Sequence, residues 1–311
     1  MRAVLLREVG AIENVDVDEP APGEGEVVVD VAVAGVCGSD VHAARDGGLL
    51  RTPPLVMGHE IAGMFQGRRV AINPIISCHA CDMCKRRMEH LCRNRTIVGI
   101  QRAGGLAAKV AVPQENLVDL PPTVSMEAGA MVEPLAVAHH AIRLAPLVAG
   151  DRVGILGAGT IGLLVAYLLR GQDYELEVAD LDDHRLGFAR SLGIEAVGRE
   201  LDGEFDIVFD AVGNRTTHRL SLELLRPGGT AVWIGNEEAD PAFDAQMLVR
   251  VEQRVVGSAA YHPDDFVGAA RLISDEVLEW ATVLPLEEAP RVIGELMDPQ
   301  PGGPVKVLFR P

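Results

Sequence analysis

Lysine is nearly absent from this 311-residue chain. Only Lys85, Lys109 and Lys306 stand among 28 basic residues, against 45 acidic ones, and the formal net charge is −17. An acidic excess of that size excludes nucleic acid and anionic membrane surfaces as the main partners, because both repel it. Apolar runs of membrane-spanning length are missing as well, since Gly or a charge interrupts each one early. The opening Met1-Arg2-Ala3-Val4-Leu5-Leu6-Arg7 is too short for a signal peptide and reads as a strand. A cytoplasmic location is therefore expected. Internal repeats and low-complexity tracts are also missing. Cysteine is scarce and odd in number: five, of which four crowd into residues 78–92. In a reducing compartment that distribution favours metal over disulfides.

What is present suffices for two cores. The length suggests about two domains, 48% of residues are hydrophobic, and the charged share is an ordinary 23%. The first third reads as β-rich. Val27–Val33 is a valine-rich strand bounded by Gly and Pro, with shorter strands at Val70–Ile72 and Val110–Val112. After Pro121-Pro122, Ser125 to Leu144 has helical periodicity. Strands are then predicted at 152–156, 176–179, 206–209 and 230–234, with helices at 160–170, 183–192 and 216–225 between them. That alternation calls for a parallel sheet covered by helices. The tail reads as helices at 263–274 and 289–297 and a last strand at 305–309.

The strand Val153-Gly154-Ile155-Leu156 leads into Gly157-Ala158-Gly159-Thr160-Ile161-Gly162. A bare GxGxxG is weak evidence, but between a strand and an amphipathic helix it reads as a dinucleotide site. Gly157 allows the tight turn, Gly159 lets the backbone approach pyrophosphate, and Gly162 lets helix pack on strand. Ile161 belongs to the same turn. The second strand ends at Asp180, where an acid accepts hydrogen bonds from ribose hydroxyls and repels a 2′-phosphate. Asp182 and Asp183 add to that repulsion, and Arg185 is the only nearby base. NAD is expected over NADP.

Cys78, Cys81, Cys84 and Cys92 are spaced C-x2-C-x2-C-x7-C. Four close thiols suit a tetrahedral zinc, closed to substrate and hence structural. An iron–sulfur cluster is the rival. The fifth cysteine opens Cys37-Gly38-Ser39-Asp40-Val41-His42, and Gly58-His59-Glu60 follows. A Cys, a His and a carboxylate suit a second zinc with one open position. An alcohol can lose its proton there near neutral pH, and its hydride then leaves for nicotinamide.

These motifs, with Glu133-Pro134-Leu135-Ala136 and the closing Val305-Lys306-Val307, resemble the zinc-containing medium-chain dehydrogenases, most of all the polyol and threonine dehydrogenase branch. The resemblance runs nearly end to end. It implies a GroES-like β-barrel catalytic domain over residues 1–122, completed by 262–311, and a Rossmann domain with a doubly wound parallel sheet over 123–261. It implies that Cys37 and His59 ligate the catalytic zinc, with Glu60 a ligand or an exchanging carboxylate and Glu133 near or on the metal. Ser39 would pass the substrate proton onward and His42 would complete the relay. Two zincs per chain, NAD, a small alcohol or ketone substrate and a homodimer or homotetramer are the resulting expectations. An NADPH-dependent aldehyde reductase and a non-catalytic dinucleotide-binding sensor or scaffold are the alternatives. The chain also departs from that family. The segment Ile61–Gly67 is short, Leu106–Lys109 lacks an acid and an aromatic, and Val283-Leu284 stands where polyol enzymes often carry an arginine.

Overall fold

The valine-rich stretch becomes the longest strand of the protein and the hub of its first half. The computed structural model describes residues 1–48, 50–238, 243–298 and 300–311. The chain divides into two units, Met1–Glu133 with His262–Pro311, and Pro134–Tyr261. In the first, the Glu26–Val36 strand is long enough to serve three partners. Its first half pairs antiparallel with Lys109–Pro113, as Val27 opposite Val112. Its last residues pair antiparallel with the C-terminal strand Lys306–Arg310, as Val36 opposite Val307. Its other edge pairs with Glu60–Phe65, as Gly35 opposite Glu60. Val29, Val33 and Ala34 are fully buried from this strand, and Val29 and Ala34 share a core with Val4, Leu6, Ile61, Ile72 and Phe309.

The short 61–67 segment is a tight hairpin. Glu60–Phe65 turns directly into Arg68–Ile72, and the two loop residues, Gln66 and Gly67, have φ of 49° and 77°. Positive φ at both central positions matches the right-handed twist of the strands, which makes a two-residue connection possible.

In the second unit the six strands are all parallel. The spatial order is Ala196–Gly198, Glu175–Ala179, Arg152–Leu156, Phe205–Asp210, Leu225–Trp233, Arg254–Gly257. That is the 3-2-1-4-5-6 order of a doubly wound Rossmann sheet. All six residues of Phe205–Asp210 are buried, as expected of a central strand covered on both faces.

The expected helical stretch after Pro122 is two helices, Met126–Ala130 and Val132–Leu144. The first belongs to the first unit, because a Cβ on Gly129 would lie 2.5 Å from Leu120 and 3.0 Å from Ala62. The division between units therefore falls at Glu133/Pro134 rather than at Pro122, and the chain returns at His262. Elements that went unread in the sequence include the strands Ala11–Asp16, 196–198, Arg254–Gly257 and Ala281–Pro285 and the short helix Ala245–Arg250. No helix among the described residues is long and apolar enough to cross a membrane.

Candidate active site and metal centres

A helix cap and a glycine turn deliver the first group of ligands. Cys37 leaves the Glu26–Val36 strand and caps the helix Gly38–Asp46, its N–H donating to Asp40 Oδ2 at 3.0 Å. Gly58 precedes His59 with φ of 93°, and a Cβ there would meet Leu106 Cγ at 2.8 Å and Leu106 N at 2.9 Å. Only glycine fits both constraints. Ligand atoms of Cys37, His59 and Glu60 all lie within 4.8 Å of one another, with His59 and Glu60 buried.

The charges around this group are anchored. Asp40 has no solvent exposure. Its Oδ1 accepts from Arg51 Nη2 at 2.7 Å, and its Oδ2 lies 3.6 Å from His59 Nδ1. Burial opposes its ionisation, yet the His59 ring, the Arg51 guanidinium and the Cys37 N–H hold its pKa at about 2. Burial likewise pushes the His59 ring down, but the Asp40 carboxylate and Cys37 outweigh it and hold the ring well above the usual imidazole range. The pocket thus attracts positive charge. A dication meets that demand as a proton does, and a carboxylate beside one ring nitrogen is the usual arrangement when the other binds metal. The ligand atoms of Cys37, His59 and Glu60 converge, and Asp40 beside Nδ1 leaves the other ring nitrogen for a metal, so the donor set fits a zinc ion.

Ser39 is exposed, and its Oγ accepts from Arg51 Nη2 at 3.1 Å. His42 is exposed on the same short helix. Glu133 is buried in the first turn of Val132–Leu144 and stands outside the three-residue group.

The four remaining cysteines converge as a second group within 4.8 Å. Sulfur separations are 3.5 Å for Cys81–Cys84, 3.9 Å for Cys81–Cys92 and 3.4 Å for Cys92–Cys78. A zinc with four sulfurs at 2.3 Å needs tetrahedral edges of about 3.8 Å. Without metal the thiols diverge. Backbone N–H groups of Ala80 and Cys81 pull Cys78 down to about 6, while burial and neighbouring sulfurs push Cys84 up to about 12. A dication at the centre favours all four thiolates together.

In the second unit, Gly157 turns with φ of 95°, and a Cβ on Gly162 would lie 1.8 Å from the Gly157 carbonyl oxygen. Gly159 caps the Thr160–Leu169 helix and faces open space. Ile161 is half-buried in that helix's first turn. Asp180 Oδ2 accepts from the Ala158 N–H at 2.7 Å and Oδ1 from the Asp182 N–H at 2.8 Å. Arg185 Nη1 lies 3.9 Å from Asp180 Oδ2.

Residues 23–122 match the alcohol dehydrogenase GroES-like domain, and residues 160–275 match the zinc-binding dehydrogenase domain. The chain is 32% identical to an L-idonate 5-dehydrogenase of Vitis vinifera, over 78% of this chain and 75% of that one. The chain belongs to the zinc-containing medium-chain dehydrogenase family. It is also 28% identical to the L-galactonate-5-dehydrogenase of Escherichia coli K12, over 82% of each chain. A crystal structure from Sinorhizobium meliloti 1021, described as a zinc-binding dehydrogenase bound to NADP, superposes with a TM-score of 0.91. It is 31% identical and covers 100% of this chain and 99% of that one. As a family member the chain is an oxidoreductase of the alcohol dehydrogenase type, moving hydride between a secondary alcohol and a nicotinamide cofactor.

Three residues around the site carried no role in the sequence reading. Asp40 sits inside the quoted CGSDVH run and Lys306 inside the closing VKV, so both were in view without a partner. Arg51 had no signal, because nothing in Leu50-Arg51-Thr52 marks a buried guanidinium.

Proposed function

We propose that this dehydrogenase oxidises a secondary hydroxyl of a small polyol or sugar acid with NAD, at the site built by Cys37, His59 and Glu60. The convergence of those three side chains carries the reading. Cys37 and His59 hold the catalytic zinc, Glu60 is a ligand or an exchanging carboxylate, and Glu133 is a further carboxylate close to the metal. When bound, the ion supplies the Lewis acidity that makes the substrate hydroxyl acidic near neutral pH. Ser39 takes that proton, with the Arg51 guanidinium fixing its oxygen, and His42 passes it to solvent. The quartet holds a structural zinc. The names of the two sugar-acid dehydrogenases above support a polyhydroxylated substrate.

The cofactor preference rests on Asp180. Two backbone N–H groups fix its carboxylate at the end of its strand, where it stands ready for the ribose hydroxyls and against a 2′-phosphate. Arg185 and the NADP-bound relative favour a second reading, with NADP as cofactor. Gly157, Gly159, Ile161 and Gly162 cradle the pyrophosphate of either one. A homodimer or homotetramer, cytoplasmic in location, completes the proposal. The exposed edge strand Arg254–Gly257 suits pairing of two sheets across a two-fold axis.

Initial rates with NAD and NADP across polyols, sugar acids and diols test the reading. NAD should be preferred, and Asp180→Ala should move the NAD-to-NADP ratio of kcat/KM toward NADP by about tenfold, the size of one lost hydrogen bond to a charged group. No turnover of any alcohol by a chain carrying two zincs would refute the assignment.

A further inference from the structure

Lys306 is the one buried lysine of the chain's three, at 3% exposure. Its Nζ donates to the Val36 carbonyl at 3.0 Å and makes an ion pair with Glu60 Oε2. Glu60 itself is 1% exposed, and that oxygen has no donor beyond the ammonium contact. Three neighbouring strands assemble the pair. Glu60 lies opposite Gly35, and Val307 lies opposite Val36, so the C-terminal strand brings Lys306 to the foot of the candidate metal site. The glycine is required, because a Cβ on Gly35 would lie 2.0 Å from Glu60 Oε2. A buried ion pair of this kind adds little stability that apolar side chains would not supply. Its placement beside Cys37 and His59 therefore calls for another reason.

We propose that Lys306 is a positioning residue that competes with the catalytic metal for the Glu60 carboxylate. The inference rests on the zinc site proposed above. Lys306 and a dication are both cations held by one buried anion. Each relieves the unpaired charge that the other would relieve, so each weakens the other's hold, and the coupling between them is antagonistic. By engaging one Glu60 oxygen, Lys306 keeps this carboxylate from committing wholly to the metal. The open coordination position is thereby preserved for substrate.

The sign of the coupling is the test. Zinc affinity is measured on the full chain by competition with a chromophoric chelator. The catalytic component is identified as the one that Cys37→Ser removes. Lys306→Met should tighten that component by about tenfold, within the usual range of coupling between sites. Lys306→Arg should leave it near the wild-type value. In a Glu60→Gln background, Lys306→Met should tighten zinc clearly less, because only the direct repulsion between the two cations is left, whereas a lysine acting by repulsion alone would give the same tightening in both backgrounds. Should Lys306→Met not fold, Lys306→Gln keeps a donor for the Val36 carbonyl and carries the same expectation. Weaker or unchanged zinc binding in the neutral variants overturns the proposal. Two zincs retained in Cys37→Ser would instead overturn the site on which it rests.

Discussion

Four sulfurs from one loop, residues 78–92, make one candidate metal group, while the other draws Cys37 from the end of one strand and His59 and Glu60 from the start of its neighbour. The loop group is self-contained. Its ligands supply their own negative charge, and an Asp82–Arg93 pair at 2.7 and 2.9 Å ties the loop to itself. The strand group is embedded. Asp40, Arg51 and Lys306 surround it with buried charge drawn from distant parts of the chain. A closed site on a loop with little core of its own acts on folding, whereas an open site on rigid strands acts on chemistry.

Removing one cysteine from each group should separate these effects. Cys37→Ser should leave one zinc per chain and lower kcat/KM by about a thousandfold, the upper range for losing an electrostatic stabiliser of the transition state, with little change in Tm. Cys92→Ser should also leave one zinc, but it should lower Tm by roughly 10 °C, since metal binding and folding of such a loop are one event. Metal analysis, initial rates and thermal unfolding of both variants read this out. A Cys92→Ser protein with unchanged Tm and lost turnover would break the contrast.

Arg51→Met probes the embedding itself. It leaves the Asp40 carboxylate buried without its guanidinium partner, which should cost about 3 kcal/mol of stability. Ser39 loses its only side-chain donor among the described residues, so turnover should fall while both zincs stay bound. Denaturant unfolding and metal analysis check the two halves separately.

The same contrast explains what the sequence could disclose. Close spacing exposed the quartet because its ligands are neighbours in the chain. The glycine turn was legible because strand, turn and helix follow one another within residues 152–169. The parallel sheet came through as alternating periodicity in four of its six strands, while 196–198 and the edge strand Arg254–Gly257 are too short to show a period. Partners across strands left no such trace. Lys306 stood in a quoted motif, yet only the pairing of Lys306–Arg310 with Glu26–Val36 shows that it reaches Glu60. The division between units was placed too early because Pro121-Pro122 is a strong turn signal. The packing of the following helix on the barrel is a tertiary contact that no local pattern announces.

Asp40 offers the smallest and most specific test of the embedded charges. Its folded pKa of about 2 lies below the ordinary 3.8. Its ionised form therefore stabilises the native state fully above pH 3.8, and that contribution disappears as pH falls to about 2. The shift corresponds to about 2 kcal/mol. Asp40→Asn removes the titrating group, so its stability should lie below wild type by roughly that amount at pH 5. The gap should close between pH 4 and pH 2, where wild-type Asp40 is itself protonated. Both proteins are stripped of zinc with a chelator before the series, so that the comparison reports on Asp40 with Arg51 and His59 alone. Urea unfolding of the two proteins along that pH series measures the gap. A gap that stays constant down to pH 2 would mean that Asp40 acts by shape and hydrogen bonding rather than by charge, and the embedded site would then resemble the quartet more than it differs from it.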